Sequence, residues 1–335
     1  MIPEEKQPAV RRALTEAFGV SEFEDIHLTA GGLSPSRIFR IVVGGQPYLL
    51  RIILRSEVIA DPAVELACMK IAAEAGIAPR IWYASLEDKV LITDFVERKP
   101  FPDDVVPLIA PVLRKLHALP GFPKPRMGSY FDAMDGFVRR FQAANLLPES
   151  ATGELFRHYA ELVKVYPRND AEYVASHNDL KPQNMVFDGN RLWLVDWESA
   201  FLNDRYADLA VVANFFVTNN AQEEALLNIY FGEPAGEYRR ARFYLMRQAM
   251  HMFYASLLIL LAVRSGLTID ADLSAPDFRE YHRRLIADLD EVNVATAEGQ
   301  VQYAKVHLNE ALRNMRSPRF AEAVALVGGK SAINS

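Results

Sequence analysis

The sequence contains a single cysteine, Cys68, among its 335 residues. One cysteine excludes a disulfide within the chain, and no histidine or second cysteine lies close to it in the sequence to complete a metal site. Runs of lysine or arginine are also missing, and the formal net charge is −6, so nucleic acid is not an expected partner. The composition favours a protein of the reducing cytoplasm.

Long hydrophobic runs are missing too. The most apolar stretch, residues 252–263, is shorter than the roughly 18 to 20 residues that a bilayer-spanning helix requires. Arg247 and Arg264 flank it, and the first residues of the chain lack the basic-then-apolar order of a signal peptide. We therefore expect a buried core helix at 252–263, with neither membrane insertion nor export.

Half of the residues are hydrophobic, which is enough for a substantial core, and their periodicity changes along the chain. The first part predicts five short strands, with Gly44 and Gly45 forming a tight hairpin turn between the second and the third. Asp61 predicts the N-cap of a helix between the third and fourth strands. From residue 206 onward the apolar residues recur at helical spacing. The pattern predicts an α+β lobe followed by a mainly helical one.

The most informative segment reads SHNDLKPQNMVFD at 176–188 and is followed by RLWLVDWE at 191–198. Its two short apolar runs are separated by Asp-Gly-Asn, which predicts a β-hairpin. Asn184 is expected to open the first strand and Asp196 to close the second. Because antiparallel pairing brings the start of one strand to the end of the other, both side chains should lie at one end of the hairpin.

Asp179, Asn184 and Asp196 together supply the oxygen-bearing groups that phosphoryl transfer needs. A carboxylate accepts the proton of the attacking hydroxyl, and two further oxygens hold the Mg²⁺ that bridges the nucleotide phosphates. The alternative is that His177 and Asp179 only cap a turn, as Asp and Asn often do. The complete ordered set favours phosphotransfer.

At these residues the chain resembles the kinase-like small-molecule phosphotransferases, a group that includes aminoglycoside phosphotransferases and choline/ethanolamine kinases. The resemblance extends over residues 29–216 and implies a bilobal protein-kinase-like fold of the α+β class. An N-lobe at 1–95 would bind nucleotide on a five-stranded antiparallel sheet with helices. A C-lobe at 96–335 would be mainly helical, carry the catalytic β-hairpin and bind the acceptor.

The resemblance also implies cofactors and residue roles. ATP would be the co-substrate and Mg²⁺ the metal, with Asp179 as the catalytic base and with Asn184 and Asp196 as Mg²⁺ ligands. His177 would brace the catalytic loop, and Asp208 would hydrogen-bond that loop without contacting substrate.

Further residues match the nucleotide-binding parts of this group. Gly31, Gly32 and Ser34 fit its Gly-Gly-x-Ser/Thr loop, although a Gly-Gly pair between strands can equally form a plain hairpin turn. Backbone groups of Thr93 and Phe95, at the connection between the lobes, would contact the adenine.

Arg51 lies on the third predicted strand, where protein kinases have a lysine that contacts the α- and β-phosphates, and Glu65 would be its partner on the following helix. Choline and ethanolamine kinases resemble this chain in having arginine there, whereas aminoglycoside enzymes have lysine. An arginine fork can bind two oxygens at once. The alternative is that both charges are solvated on the surface. The arginine favours the choline/ethanolamine branch.

A further stretch bears on the acceptor. The segment VDWESAFLNDRYADLA at 195–210 is similar to the choline-kinase pattern, but Ser199 and Phe201 replace an aromatic residue and a glycine. Asn214 stands in the region of an acidic residue that faces the ammonium group. Aromatic faces and a carboxylate bind such a cation. The alternative is that the aromatic residues of this region pack in the core. The candidates for this pocket are Trp197, Glu198, Asp204, Phe215 and Tyr254.

Two classes of function follow. The first is an ATP- and Mg²⁺-dependent kinase of a small hydroxylated molecule, preferably an amino alcohol, or alternatively an aminoglycoside, another antibiotic or a small metabolite. The second is a nucleotide-binding pseudokinase that acts as a regulatory module. Loss of Asp179, Asn184 or Asp196 would have indicated the second class, and all three are present, so an enzyme is expected. No sequence feature specifies an oligomeric state.

Overall fold

The computed structural model describes residues 2–29, 36–53, 61–124, 129–168, 172–287, 294 and 296–331. Its N-terminal part packs helix α1 (Gln7–Phe18) against a five-stranded antiparallel sheet. The strands are β1 (Asp25–Leu28), β2 (Ser36–Val43), β3 (Gln46–Ile53), β4 (Ile81–Ser85) and β5 (Val90–Asp94). Their order in the sheet is β1-β2-β3-β5-β4.

The local sequence explains how this sheet forms. Gly44 and Gly45 both have positive φ angles and connect β2 to β3, which is the backbone shape that a two-residue hairpin turn needs. Apolar side chains alternate along both strands, and Ile41 and Leu50 are fully buried between the sheet and α1. The sheet therefore has one face in its own core.

Helix α2 (Pro62–Glu74) lies between β3 and β4 in the chain and packs against the second lobe. Asp61 caps it, because its Oδ1 accepts a hydrogen bond from the Ala63 N–H over 2.9 Å. Cys68 is buried on α2, with its Sγ 3.8 Å from the Ala200 carbonyl oxygen in the second lobe. Burial raises the pKa of the Cys68 thiol to about 11, so the thiol stays protonated at neutral pH.

The C-terminal part is mainly helical and includes two small sheets. Strands β6 (Val174–Ser176) and β9 (Phe201–Asn203) form one sheet, and β7 (Met185–Phe187) and β8 (Leu192–Leu194) form the predicted hairpin. The helices are α3 (Val106–Leu116), α4 (Tyr130–Ala144), α5 (Glu149–Val165), α6 (Arg205–Phe216), α7 (Asn220–Phe231), α8 (Glu237–Arg264), α9 (Phe278–Ala287), α10 (Ala297–Met315) and α11 (Pro318–Ser331).

Helix α8 contains the apolar stretch at 252–263. By length and composition alone it is the one helix in the described part of the chain that could cross a membrane. However, 67% of its most apolar window is buried within the fold, and it packs against α4, α6, α10 and α11. The predicted core helix is therefore present.

Asn184 differs slightly from its predicted position. It does not open the first hairpin strand but ends a short 3-10 turn (Pro182–Asn184) immediately before that strand. Pro182 favours this turn because its ring fixes φ near the helical value.

Candidate active site

The hairpin of β7 and β8 brings Asn184 and Asp196 to the same end, which is the arrangement that the sequence predicts. Met185 pairs with Leu194, and the Val195 N–H donates to the Asn184 carbonyl oxygen over 3.0 Å. Asp196 follows with φ 68° and ψ 70°, a left-handed conformation that Asp and Asn adopt more readily than most residues. The two side chains thus start from adjacent backbone positions.

Asp179 lies beside Asn184. The Asn184 Nδ2 donates to the backbone oxygen and to Oδ2 of Asp179, each over 2.9 Å. The Lys181 ammonium donates to the same Oδ2 over 2.6 Å. Two donors therefore hold Oδ2, whereas Oδ1 makes no hydrogen bond to the residues that the structure describes. One carboxylate oxygen is left to accept a proton from a substrate.

The orientation of the Asn184 amide follows from the same contacts. The two Asp179 oxygens can only accept, so Asn184 must point its nitrogen at them and its Oδ1 elsewhere. The Asp196 carboxylate also makes no hydrogen bond within the described ranges. These two oxygen donors suit Mg²⁺, which takes few protein ligands and completes its shell with water and phosphate oxygens. No group of three or more His, Cys, Asp or Glu side chains in the described chain could hold a metal alone, so such added ligands would be needed.

Lys181 is a site residue that sequence reasoning missed. Burial acts against its ammonium, but the charge and hydrogen bond of Asp179 outweigh this effect, and the pKa of Lys181 is raised. The charges of Asp196 and Glu198 act in the same direction. Lys181 therefore stays positive and offsets the negative charge of the site. Its position two residues after Asp179 does not by itself indicate that the side chain turns back.

Asp208 holds the start of the catalytic loop. Its fully buried carboxylate accepts hydrogen bonds from the backbone N–H groups of His177, over 2.9 Å, and Asn178, over 2.7 Å. His117, at the end of α3, lies 3.1 Å from the same carboxylate and 2.7 Å from the Tyr230 hydroxyl. The structure thus places Asp208 as a support for the loop. His117 comes from a distant helix, and its motif in the sequence, LRKLHALP, is similar to one in the kinase-like small-molecule phosphotransferases and indicates a packing or capping role.

His177 connects this loop to the strand that leads to Asp196. Its Nε2 is 2.9 Å from the Val195 carbonyl oxygen, and its ring packs against Trp197 with centroids 4.8 Å apart. Trp197 is only 1% exposed, and its Nε1 donates to the Leu194 carbonyl oxygen. Trp197 therefore packs in the core and does not form a wall of an acceptor pocket.

Arg51 and Glu65 form an ion pair between β3 and α2. Arg51 Nη1 lies 2.5 Å from Glu65 Oε1, and Arg51 Nε donates to the Ser36 hydroxyl over 3.2 Å. Both side chains are largely buried, at 15% and 9% exposure, so they are not solvated surface charges. The guanidinium is held in a fixed orientation by two partners, and its Nη2 makes no hydrogen bond to described residues.

The connection between the lobes starts at the end of β5. Thr93 is buried within this strand, and Phe95 is the first residue after it. Contacts of their backbone groups with adenine stay a prediction. Gly31, Gly32 and Ser34, the predicted phosphate loop, lie outside the described residues.

Arg98 attaches this connection to the catalytic loop. Its guanidinium donates to three carbonyl oxygens, those of Pro182 over 3.3 Å, Gln183 over 2.8 Å and Met185 over 2.8 Å. These residues flank Asn184, so Arg98 helps to hold a candidate metal ligand in place. Arg98 has no sequence signal, because contacts from a side chain to backbone carbonyls leave no motif.

Glu198 lies among the charges of the nucleotide side. Burial, and then the charges of Asp196 and Glu65, raise the pKa of its carboxyl, whereas Arg51 and Lys181 act in the opposite direction. Its neighbours are therefore the ion pair and the candidate metal ligand. The role of Glu198 in the acceptor pocket stays a prediction.

Two other candidates for the acceptor pocket are engaged elsewhere. Asp204 caps α6, and its Oδ2 binds the Tyr166 hydroxyl over 2.8 Å and Arg242 over 3.0 Å. Phe215 is buried on α6 and packs edge-on against His282, with centroids 4.9 Å apart. Asp204 therefore serves as a helix cap and an ion-pair partner and not as the anion of a cation pocket, because acidic residues also cap helices, whereas the placement of Phe215 in the acceptor pocket stays a prediction.

Tyr254 lies near Asp179, together with two tyrosines that have no sequence signal. Tyr130 of α4, Tyr254 of α8 and Tyr303 of α10 each have a raised pKa, chiefly because of burial, and the negative charge of Asp179 contributes in every case. The Tyr130 and Tyr254 hydroxyls make no hydrogen bond within the described ranges. Phenol groups from three helices thus lie within range of the negative charge of Asp179.

Comparison with known proteins agrees with this geometry. The family model of the phosphotransferase enzyme family matches residues 25–244, a range that contains the sheet and the catalytic hairpin. The chain belongs to the phosphotransferase enzyme family. The predicted relationship to kinase-like small-molecule phosphotransferases is confirmed, and the chain is a small-molecule kinase by family.

Solved structures have the same fold as this phosphotransferase. A choline/ethanolamine kinase family protein from Mesorhizobium loti aligns with a TM-score of 0.64 and 19% identity, covering 96% of this chain and 99% of the other. A spectinomycin phosphotransferase in complex with ADP and spectinomycin aligns with a TM-score of 0.57 and 12% identity, covering 89% and 98%. At these identities the similarity shows the fold, and the predicted bilobal α+β architecture is confirmed. The division at residue 95 stays a prediction.

A curated relative matches a shorter segment of the phosphotransferase. Protein LicA homolog of Mycoplasma capricolum is 31% identical over 77 residues, which are 23% of this chain and 32% of the relative. The chain spans about a third of the length of the curated relatives it matches. This similarity is therefore local.

Replacing Arg51 tests its predicted contact with the nucleotide. We expect Arg51→Lys to lower kcat/KM for nucleotide by more than about twofold, because a single ammonium cannot replace a fork that binds Ser36, Glu65 and phosphate together. Steady-state kinetics at varied nucleotide concentration measures the change. Arg11→Lys, on the exposed face of α1, is the matched control. Full activity of Arg51→Lys would place Arg51 outside the site.

Proposed function

We propose that this phosphotransferase is an ATP- and Mg²⁺-dependent kinase that transfers the γ-phosphate to the hydroxyl of a small amino alcohol. The observation that carries the proposal is the position of Asp179 next to two sets of side chains. Asn184, which contacts it, and Asp196 offer oxygen ligands that suit Mg²⁺ and nucleotide. The charge of the same carboxylate also acts on the tyrosines of α4, α8 and α10, whose rings suit a small cation.

The nucleotide side has both a metal site and a phosphate contact. Asn184 Oδ1 and the Asp196 carboxylate would hold Mg²⁺, which when bound neutralises charge on the β- and γ-phosphates. Arg51 would donate to phosphate oxygens through Nη2, since Glu65 and Ser36 already hold the rest of its guanidinium. These residues bind and orient the nucleotide.

Asp179 would accept the proton of the acceptor hydroxyl through Oδ1. Lys181 and Asn184 both donate to Oδ2, so the carboxylate cannot rotate freely and Oδ1 keeps one direction. Asp208 holds the loop backbone from the other side. A base positioned in this way removes the proton only when the hydroxyl lies in line with the phosphate.

An ammonium group suits the remaining part of the site. The Asp179 carboxylate, the tyrosine rings and the tyrosine oxygens all attract a cation, and a neutral sugar would gain little from them. Tyr303 is only 7% exposed, and Tyr130 and Tyr254 are partly buried. Such enclosed walls favour a small acceptor over a large one. The similarity to a choline/ethanolamine kinase family protein supports the same acceptor class.

An antibiotic is the second candidate acceptor. It is favoured by the similarity of the fold to that of a spectinomycin phosphotransferase. An aminoglycoside also carries ammonium groups, so the cation argument applies to it as well. The enclosed tyrosines argue for the smaller molecule.

An acceptor panel tests the proposal. We expect ADP release at fixed Mg·ATP to rise above the acceptor-free rate with ethanolamine or a related amino alcohol, and kcat/KM to be lower with aminoglycosides and neutral sugars. Preference for either of those would reject the amino-alcohol assignment but retain the kinase. Mg·ATP binding without turnover on any acceptor would favour a pseudokinase.

A further inference from the structure

The side chain of His282 on α9 has a defined tautomer. Its Nδ1 lies 2.8 Å from the Phe278 carbonyl oxygen, and because a carbonyl can only accept, Nδ1 must carry a hydrogen. His282 is 2% exposed, and burial lowers its pKa to about 4, although the Phe278 hydrogen bond acts the other way. The ring is therefore neutral at physiological pH, and Nε2 has a free lone pair.

This tautomer determines the direction of the next hydrogen bond. The Tyr303 hydroxyl lies 2.9 Å from His282 Nε2, so Tyr303 must donate its hydrogen to that nitrogen. A phenol has only one hydrogen. Toward every other neighbour the Tyr303 oxygen can act only as a hydrogen-bond acceptor.

Tyr303 differs in this respect from the other two tyrosines near Asp179. The Tyr130 and Tyr254 hydroxyls have no hydrogen-bond partner within the described ranges, so they can rotate to donate or to accept. The Tyr303 ring is also held from both sides, by Tyr281, stacked at 5.3 Å, and by His307 at 4.5 Å. Of the three phenol oxygens, that of Tyr303 is thus fixed both in position and in its role as a hydrogen-bond acceptor.

We propose that the Tyr303 oxygen accepts a hydrogen bond from an N–H group of the acceptor's ammonium, and that this bond selects amino alcohols with at least one N–H over quaternary ammonium alcohols. His282 is a positioning residue, since it acts only through Tyr303. A quaternary ammonium has no hydrogen to donate, so it would leave the fixed, largely buried oxygen unpaired. The inference rests on the proposed amino-alcohol kinase activity and specifies its substrate class.

A methylation series of acceptors tests this selection. The acceptors are ethanolamine, N-methylethanolamine, N,N-dimethylethanolamine and choline, which carry progressively fewer N–H groups. With the wild-type enzyme we expect kcat/KM to fall by about 10- to 150-fold at the last methylation, where the charged hydrogen bond is lost. Tyr303→Phe should lower kcat/KM for the first three acceptors and leave that for choline nearly unchanged. The difference in kcat/KM between N,N-dimethylethanolamine and choline should then disappear.

Tyr254→Phe is the matched comparison, because it removes a phenol hydroxyl that is not fixed. We expect it to change kcat/KM for the four acceptors by similar factors and to keep the difference between N,N-dimethylethanolamine and choline. Equal use of choline and N,N-dimethylethanolamine by the wild-type enzyme would overturn the inference, and that result needs no variant to fold. A uniform loss over all four acceptors in Tyr303→Phe would overturn it as well. If the wild-type enzyme turned over none of the four, the proposed amino-alcohol activity itself would be refuted, and the inference with it.

Discussion

Replacing Asp179 with asparagine is expected to lower kcat by about 10²- to 10⁴-fold, the range that a general base contributes. Asparagine has nearly the same shape, and its oxygen can still accept from Lys181, so the loop should keep its conformation. The amide cannot accept a proton at neutral pH. Because Asp179 contacts neither Arg51 nor the predicted adenine site, the affinity for Mg·ATP should change little. Steady-state kinetics and calorimetric titration of Mg·ATP measure the two quantities separately.

The control for this variant is Asp103→Asn, which makes the same chemical change at an exposed position ahead of α3. It should keep full activity. Full activity in Asp179→Asn itself would remove Asp179 from the role of base. Loss of nucleotide binding together with turnover would indicate that Asp179 acts mainly by supporting Asn184.

Replacing Asp196 with asparagine should weaken Mg²⁺-dependent nucleotide binding by more than the roughly 10- to 100-fold that loss of a partner of a metal ligand costs. The carboxylate supplies the only formal charge of the two candidate ligands, and Mg²⁺ prefers charged oxygen donors. Asparagine is chosen over alanine because residue 196 has a φ of 68°, which asparagine tolerates and alanine does not. Asn184→Ala, which removes a neutral ligand, should have the smaller effect.

Calorimetric titrations of ATP with and without Mg²⁺ separate loss of the metal from misfolding. Binding without Mg²⁺ should be similar in wild type and Asp196→Asn. Asp188→Asn changes a carboxylate at the opposite end of the same hairpin and should leave both titrations unchanged. If Mg·ATP affinity is the same in wild type, Asp196→Asn and Asn184→Ala, the metal binds elsewhere.

The sequence was a good guide where neighbouring residues decide the structure. Gly44 and Gly45 predict their turn because few other residues accept two consecutive positive φ angles, and Asp61 predicts a helix start because its side chain caps the next turn. The catalytic segment belongs to the same class. Asp179, Asn184 and Asp196 lie on one loop and one hairpin, so their spacing alone brings them together.

The acceptor side could not be predicted in this way. Tyr254 was among the predicted candidates, but Tyr130 and Tyr303 come from two other helices far apart in the chain, and no local pattern records how those helices pack. Trp197 and Asp204 show the opposite error, since their residue types suit a cation pocket but serve the core and a helix cap. Aromatic and acidic residues near a motif therefore indicate a site only when long-range packing is known.

Arg98 has a mechanical consequence for domain closure. Because its guanidinium binds three carbonyl groups around the catalytic loop, the connecting segment is fixed to the helical lobe at residue 98. The N-terminal part is attached to the helical lobe at a second place, because Cys68 of α2 packs against Ala200 and the Leu194 N–H donates to the Ile77 carbonyl oxygen over 2.8 Å. The free part of the connection, between Asp94 and Arg98, is short and includes the predicted adenine contact at Phe95, so we expect a bound nucleotide to limit rotation of the sheet relative to the helical lobe.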